Sequence, residues 1–314
     1  MNQPLKQAKT DVLQSFCRFR GLKGLAFAFC CLLFQVLLTS CEEEVNLVFE
    51  HEPKLCLNCI LNPDSVVKAR LTLSHSLDHA SAFTPVSDGV ITLYEGESLF
   101  GILTPVGNGN YKLDKKPAEG KVYKITAEAI NYNTISGETI IPLKPDIEYA
   151  FVETGRLSYD TTLVTYIMKV SINDRPGRDN YWITRNWVVH NRKYGGGVSQ
   201  INAPFVDEFN RMIDTEALYG FTHSYGLRLS DEGFDGQKME FDIPYFFDPT
   251  PTRYDVAVHF IRASDDYDKY LKTTIINLMK EHSDVPFFEP VQMHSNIENG
   301  YGIFGSCAVT SVKL

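Results

Sequence analysis

Short apolar runs, each closed by Gly, Pro, Asn or Asp, follow one another from residue 54 onward and leave a chain of this kind little choice but strands. Lys121-Val122-Tyr123-Lys124-Ile125-Thr126-Ala127-Glu128-Ala129 alternates cleanly between apolar and polar residues. Successive side chains of a strand point to opposite faces, so this pattern requires a sheet with one dry and one wet face. Further strands are expected over 54–61, 66–74, 89–94, 98–104, 109–113 and 134–141. The turns fall at Asn62-Pro63-Asp64, Gly96-Glu97, Gly107-Asn108-Gly109-Asn110 and Asn131-Tyr132-Asn133. Many short strands at such intervals predict a β-sandwich over 54–145.

Pro142, Pro145 and the charges around them read as a linker into a second β-rich domain, 146–314. Its expected strands are 147–154, 163–173, 181–190, 225–230, 238–244, 254–263 and 303–313. Two stretches show helical spacing instead. One runs from Pro204 to Leu218, and the other from Ser264 to His282. The second has Ser264 as N-cap, Asp265 and Asp266 at the positive end of the helix dipole, and Lys280 and His282 at the other end.

Ahead of the β-rich part, Lys6, Lys9, Arg18, Arg20 and Lys23 precede an apolar run from Leu25 to Leu38, and Leu38-Thr39-Ser40-Cys41 closes it. A basic stretch, an apolar core shorter than a bilayer span and small residues at the cut make a secretory signal. With Cys directly after the small residues, the pattern resembles a lipobox, which predicts a signal peptide over 1–40, acylation of Cys41, and a tether over 41–53. Glu42, Glu43 and Glu44 resemble the signal that exports Bacteroidetes lipoproteins to the cell surface. The expected location is therefore the outer membrane, lipid-anchored and facing outward.

The chain has a net charge of −9, and the leader takes five bases and only Asp11, so the mature protein is still more acidic. This excludes nucleic acid as an expected partner, because phosphate rewards positive charge. Cys56 and Cys59 form a C-x-x-C, but inside an expected strand they point to opposite faces, and no second pair completes a zinc site. With Cys307 they read as core thiols. His75 and His79 read as exposed loop residues, and Asp265, Asp266 and Asp268 as helix-start acids. No metal and no cofactor is expected. Phe304-Gly305-Ser306-Cys307 lacks the spacing of a nucleophile elbow, so no enzyme is expected either.

Three segments occur together: Ser230-Asp231-Glu232-Gly233-Phe234-Asp235-Gly236-Gln237, Asp265-Asp266-Tyr267-Asp268-Lys269-Tyr270-Leu271, and Ser295-Asn296-Ile297-Glu298-Asn299-Gly300-Tyr301-Gly302-Ile303-Phe304-Gly305 after Phe288-Glu289-Pro290-Val291. With the lipobox, they resemble a Bacteroidetes outer-membrane lipoprotein family, domain of unknown function 4249. The resemblance implies an immunoglobulin-like or transthyretin-like front domain and a TonB-dependent receptor as partner. It supplies no catalytic residues.

For ligand or partner contact, the candidates are Trp187, Tyr194 in the Gly-rich stretch Tyr194-Gly195-Gly196-Gly197, Tyr245, Phe246 and Tyr301. Aromatic side chains on adaptable loops offer stacking area to glycans, peptides or a receptor. Alternation along 182–187 puts Trp182 and Trp187 on different faces, which leaves one of them for the core. The expectation is a non-enzymatic surface lipoprotein that assists nutrient uptake by ligand capture or receptor docking. The alternative is a structural or adhesive protein that binds glycans or host protein.

Overall fold

In a computed structural model, residues 51–76, 83–156, 164–189, 192–197, 209, 226–247, 253–281 and 291–313 are described. Among the described residues the protein is mainly β with one long helix. In the front half the strands are β1 (Leu55–Leu61), β2 (Val67–Leu73), β3 (Val90–Glu95), β4 (Ser98–Gly107), β5 (Asn110–Leu113), β6 (Val122–Glu128) and β7 (Ile135–Ile140). Alternation sets their burial: Leu55, Leu57, Cys59 and Leu61 of β1 are buried while the residues between them are partly or fully exposed. β4 changes partner along its length, pairing with β3 up to Leu103 and with β5 from Thr104. Two sheets thereby close over a core that contains Leu57, Leu71, Ile91, Ile125 and Phe304. Two phenols lie inside it and both are satisfied. Tyr111 donates to the Val86 carbonyl at 3.0 Å, and Tyr123 donates to Glu95 at 2.8 Å while accepting from the Ala118 N–H.

The rear half contains β8 (Ile147–Arg156), β9 (Val164–Asn173), β10 (Asn180–Val189), β11 (Arg192–Gly197), β12 (Leu227–Ser230), β13 (Lys238–Phe247), β14 (Arg253–Ala263), helix α1 (Asp265–Glu281) and β15 (Tyr301–Lys313). β13, β9 and β8 form a three-stranded sheet. It shares a core with β10, β12, β14 and β15 that includes Met168, Val170, Ile172, Tyr181, Phe241 and Phe260. A third, smaller core holds Trp182, Ala263 and Phe209 with Ile275 of α1. The expected helix 264–282 is thus present as α1. The other expected helix lies outside the described residues except for Phe209, whose ring packs edge-on against Trp182 at 5.9 Å.

The connection through Pro142 and Pro145 lies between β7 and β8 along the sequence. In space the last strand belongs to both halves. Residues 301–306 of β15 pair in parallel with β1, and residues 307–313 pair antiparallel with β14, so one continuous sheet crosses the linker. Alternation along the chain cannot show this, because it fixes which face a residue occupies and not which strand lies beside it.

Candidate functional site

The second and third sequence signatures touch each other, and Arg228, two residues before the first, reaches the second. Arg228 on β12 reaches Asp268 on α1 through Nε at 2.6 Å and Nη2 at 3.0 Å, and both side chains are almost fully buried. Trp182 Nε1 donates to the same carboxylate at 2.9 Å, and Lys272 one turn along the helix approaches it at 3.1 Å. Asn180 joins the group by accepting from Arg228 at 2.7 Å and donating to Asp265 at 2.8 Å. Asp268 lies in the first turn of α1 with Asp265 and Asp266, as its reading as a helix-start acid requires. It also faces the sheet, three residues after Asp265 on the inward side of the helix, with a guanidinium from a distant strand as its partner.

The first signature forms a single 3-10 turn, Asp231–Gly233, followed by Phe234, which stacks on Tyr181 at 6.4 Å. Asp231 accepts from the Asp179 N–H at 2.5 Å, and Asp174 accepts from the Tyr181 hydroxyl at 2.5 Å and the Gly236 N–H at 2.8 Å. Carboxylate oxygens of Asp174, Asp179 and Asp231 lie within 4.8 Å of one another, a spacing that could hold a metal ion. Arg262 already places a guanidinium against Asp179, and peptide N–H groups take up other oxygens. Burial, followed by the neighbouring Asp174 and Asp231 charges, outweighs Arg262 and pushes Asp179 up to about 6; Asp231 is raised mainly by burial as well. The cluster ties the β9–β10 connection to the β12–β13 connection.

The C-terminal signature is a seam. Asn296 imitates a strand by donating to the Phe304 carbonyl and accepting from its N–H, both at 2.9 Å, and it donates to Asp266 of α1 at 3.1 Å. Glu298 exchanges backbone hydrogen bonds with Ser136 of β7. His294 bonds Asp266 at 2.8 Å. Ser264 stands at the N-cap, its carbonyl accepting from the Asp268 N–H at 2.9 Å, and its hydroxyl accepts from the Ser306 N–H at 3.1 Å and ties α1 to β15.

The expected contact residues fall into three places. Trp187 and Tyr194 are directly opposite in the β10–β11 register, and Trp187 stands where the β10–β14 pairing shifts. Tyr194 to Gly197 is part of strand β11 and not the adaptable loop that the glycines suggested, because the antiparallel ladder with β10 orders them. Tyr245 and Phe246 belong to β13, opposite Tyr166 and Thr165 in the other sheet. Tyr301 lies on β15 at 45% exposure, beneath the Lys54 ammonium at 5.8 Å. One pair is brought together, Trp187 with Tyr194, and a bulge beside it is a common device for aiming a side chain at a functional surface. Trp182 is the core Trp, at 2% exposure.

The thiols are free; Cys59 and Cys307 are buried and Cys56 is half-buried. Burial pushes Cys59 up to about 12 and Cys56 and Cys307 to about 11, which makes them poor nucleophiles. His75 accepts from the Thr84 N–H at 2.9 Å, so it is anchored and not simply solvated, and His79 lies outside the described residues. One hydrogen-bonded row escaped the sequence reading. His259 Nδ1 contacts Ser311 Oγ at 2.8 Å and Nε2 contacts Asn186 at 3.0 Å, across β15, β14 and β10. It has the residue types of a nucleophilic triad, but strand N–H groups lie in the plane of the sheet and point none of their donors above Ser311. An oxyanion formed there would have no strand N–H donor to stabilise it.

No curated protein matches the chain. A solved structure from Corynebacterium diphtheriae, described as a membrane anchored protein, is similar over 67% of this chain at 10% identity and a TM-score of 0.21. The chain spans about half that protein's length, 54%. A family profile described as Domain of unknown function (DUF4249) matches residues 42–313, which takes in all three signatures and every strand described above. The chain belongs to the family of the domain of unknown function DUF4249.

Proposed function

We propose that this protein is a non-enzymatic lipoprotein of the outer membrane, anchored through acylated Cys41, displayed on the cell surface, and accessory to a TonB-dependent nutrient transporter. One observation carries the reading: the family region begins at residue 42, directly after the lipobox cysteine, and its first residues are the acidic triplet Glu42-Glu43-Glu44. A β-rich module held by several acyl chains and a short tether is suited to work beside a membrane protein. The hydrogen bonds that tie the signature residues to the surrounding strands and helix support an architectural role for them, which leaves ligand or receptor contact to Trp187 and Tyr194. The transporter link itself comes from the family resemblance.

The test is purification of the tagged full chain from outer membranes. A β-barrel receptor is expected to co-purify, and Trp187→Ala with Tyr194→Ala is expected to reduce its recovery without lowering the melting temperature. Recovery of the chain without any receptor, from membranes that contain one, would refute the accessory role.

A further inference from the structure

The chain enters the fold at one end of the front half, and the strand register shows which connections share that end. β1 starts at Leu55, and β2 finishes opposite it at Leu73. Asn110, which opens β5, lies opposite Arg70 near that finish, so the β4–β5 turn at 107–109 is beside it. Val90 at the start of β3 faces Glu128 at the end of β6, and Ile91 faces Leu103 of β4. The parallel pairing of Cys56 with Tyr301 brings the start of β15 to the same end. Asn299 donates to the Thr134 carbonyl at 3.4 Å and joins the β6–β7 loop to it. His51 and the Lys54 N–H both bond the Ser74 hydroxyl at 2.9 Å, which fixes the incoming chain there.

Four separate connections present an apolar side chain to solvent at this end. Ile130 in the β6–β7 loop is 73% exposed and Val106 at the β4–β5 bulge 61%, the two highest values for large apolar residues among the described residues. Phe83, just before the Thr72–Pro85 bridge, is 60% exposed, and Tyr301 is 45% exposed. Apolar side chains gathered at one surface mark a contact with protein or with lipid. The charges between them are mixed: Lys54 stands against Glu52, Asp88 and Glu298, all exposed. Among the described residues this end therefore lacks the basic cluster that holds anionic headgroups.

We infer that Phe83, Val106, Ile130 and Tyr301 seat this end of the molecule in the surface of the bilayer that holds the acyl chains, an inference that rests on the proposed lipid anchor at Cys41 and not on the transporter link. Ten residues connect Cys41 to His51, and an extended chain of that length spans at most about 36 Å. The end that receives the tether is never farther than that from the acylated residue. A short tether also keeps the apolar tips at a high effective concentration at the bilayer, so shallow insertion of a few of them is enough. Tyr301 suits headgroup depth, where a ring with a polar hydroxyl is favoured. β15 leads away from this end, and its 13 residues cover about 40 Å. Ala257 pairs with Lys313 at its close and with Asn186 on the other side, so Trp187 and Tyr194 are held at the end of the sheet away from the lipid.

The full chain purified from membranes and reconstituted in phosphatidylcholine vesicles tests the seating. A solvent-sensitive fluorophore on Ile130→Cys or Val106→Cys should emit to the blue and lose most of its emission to spin-labelled acyl chains. On Leu99→Cys, at the opposite end of β4 and 60% exposed, it should stay in water. The unsubstituted chain, labelled in the same way, gives the contribution of half-buried Cys56. The quenching should persist in about 1 M salt, which screens charges beyond roughly 3 Å. Phe83→Asp with Ile130→Asp should return the Val106→Cys fluorophore to water while the chain still floats with the vesicles on a density gradient. No more quenching at Ile130→Cys and Val106→Cys than at Leu99→Cys, quenching lost in salt, or a Val106→Cys fluorophore still quenched in the double variant would each overturn the seating and leave the anchor standing. A chain carrying Cys41 that does not float would refute the anchor and the seating with it.

Discussion

Arg228 and Asp268 meet 40 residues apart in sequence, at 2.6 Å, with only 3% and 4% of their side chains exposed. The pair joins a short strand to the inward side of α1, and Trp182, Asn180 and Lys272 complete its hydrogen bonds. Removing one member of such a pair leaves a buried charge without its counter-ion, which costs about 3–5 kcal/mol. Asp268→Ala should therefore lower stability by that order in urea unfolding. Arg228→Met with Asp268→Leu should cost clearly less than the sum of the two single changes, because the double variant strands neither charge. Strict additivity would show that the two residues do not act as a pair.

The Asp174, Asp179 and Asp231 cluster makes a pH prediction whose sign can be worked out. Asp179 titrates near 6 in the folded protein against an ordinary 3.8, with burial as the first cause. Between these values the folded chain holds a proton that the unfolded chain has lost, so stability falls as pH rises through the window and levels off above about 6. Arg262 is the opposing cation, and Asp231 beside Asp179 is raised in the same direction, mainly by burial. The melting temperature of the unsubstituted chain minus that of Asp179→Asn should decline from pH 4 to 6 and stay flat from 7 to 8. A flat difference throughout would remove Asp179 from the titration.

Strand positions were legible from short apolar runs closed by turn residues, and burial of Tyr123, Ile125 and Ala127 in β6 follows its alternation residue by residue. What period and punctuation could not show was partnership. Nothing local in Asp268 distinguishes it from Asp265 or Asp266 until Arg228 is brought to it, and nothing in Tyr194-Gly195-Gly196-Gly197 announces a strand until β10 lies alongside. The candidate site was legible in the same partial way. Trp187 and Tyr194 were named one by one, while their placement opposite each other at a register shift is a property of the sheet. Tyr301 was grouped with them by residue type and lies on a different strand, next to β1.

The glycines of the final signature separate two kinds of constraint. Gly302 has φ +114°, and a Cβ there would lie 2.1 Å from the Leu57 carbonyl oxygen. Gly300 is not in the left-handed region, where the turn places Asn299 instead at +60°, but its Cβ would lie 2.5 Å from the Leu55 carbonyl oxygen. Both obstacles are backbone atoms of β1, which cannot retreat without breaking the parallel β1–β15 pairing. Gly96 has φ +55° and open space around it, so Ala there meets only local strain of about 1 kcal/mol. Thermal melts should rank the Ala variants with Gly302 the most destabilised, Gly300 next and Gly96 least. Equal losses at Gly300 and Gly96 would show that close approach to β1 is not the constraint.

In the proposed reading, anchoring and display rest on separate residues and can be separated experimentally. If Cys41 supplies the thiol for acylation, Cys41→Ser should abolish incorporation of an alkyne fatty acid and release the protein from membranes. Glu42, Glu43 and Glu44 follow that thiol and carry no chemistry for acylation. Replacing all three with Ala should keep the label and the membrane association but protect the protein from protease added to whole cells. A label that persists on Cys41→Ser would reject the lipobox. Equal shaving of the unsubstituted and triple-Ala proteins would reject the acidic residues as the display signal while leaving the anchor intact.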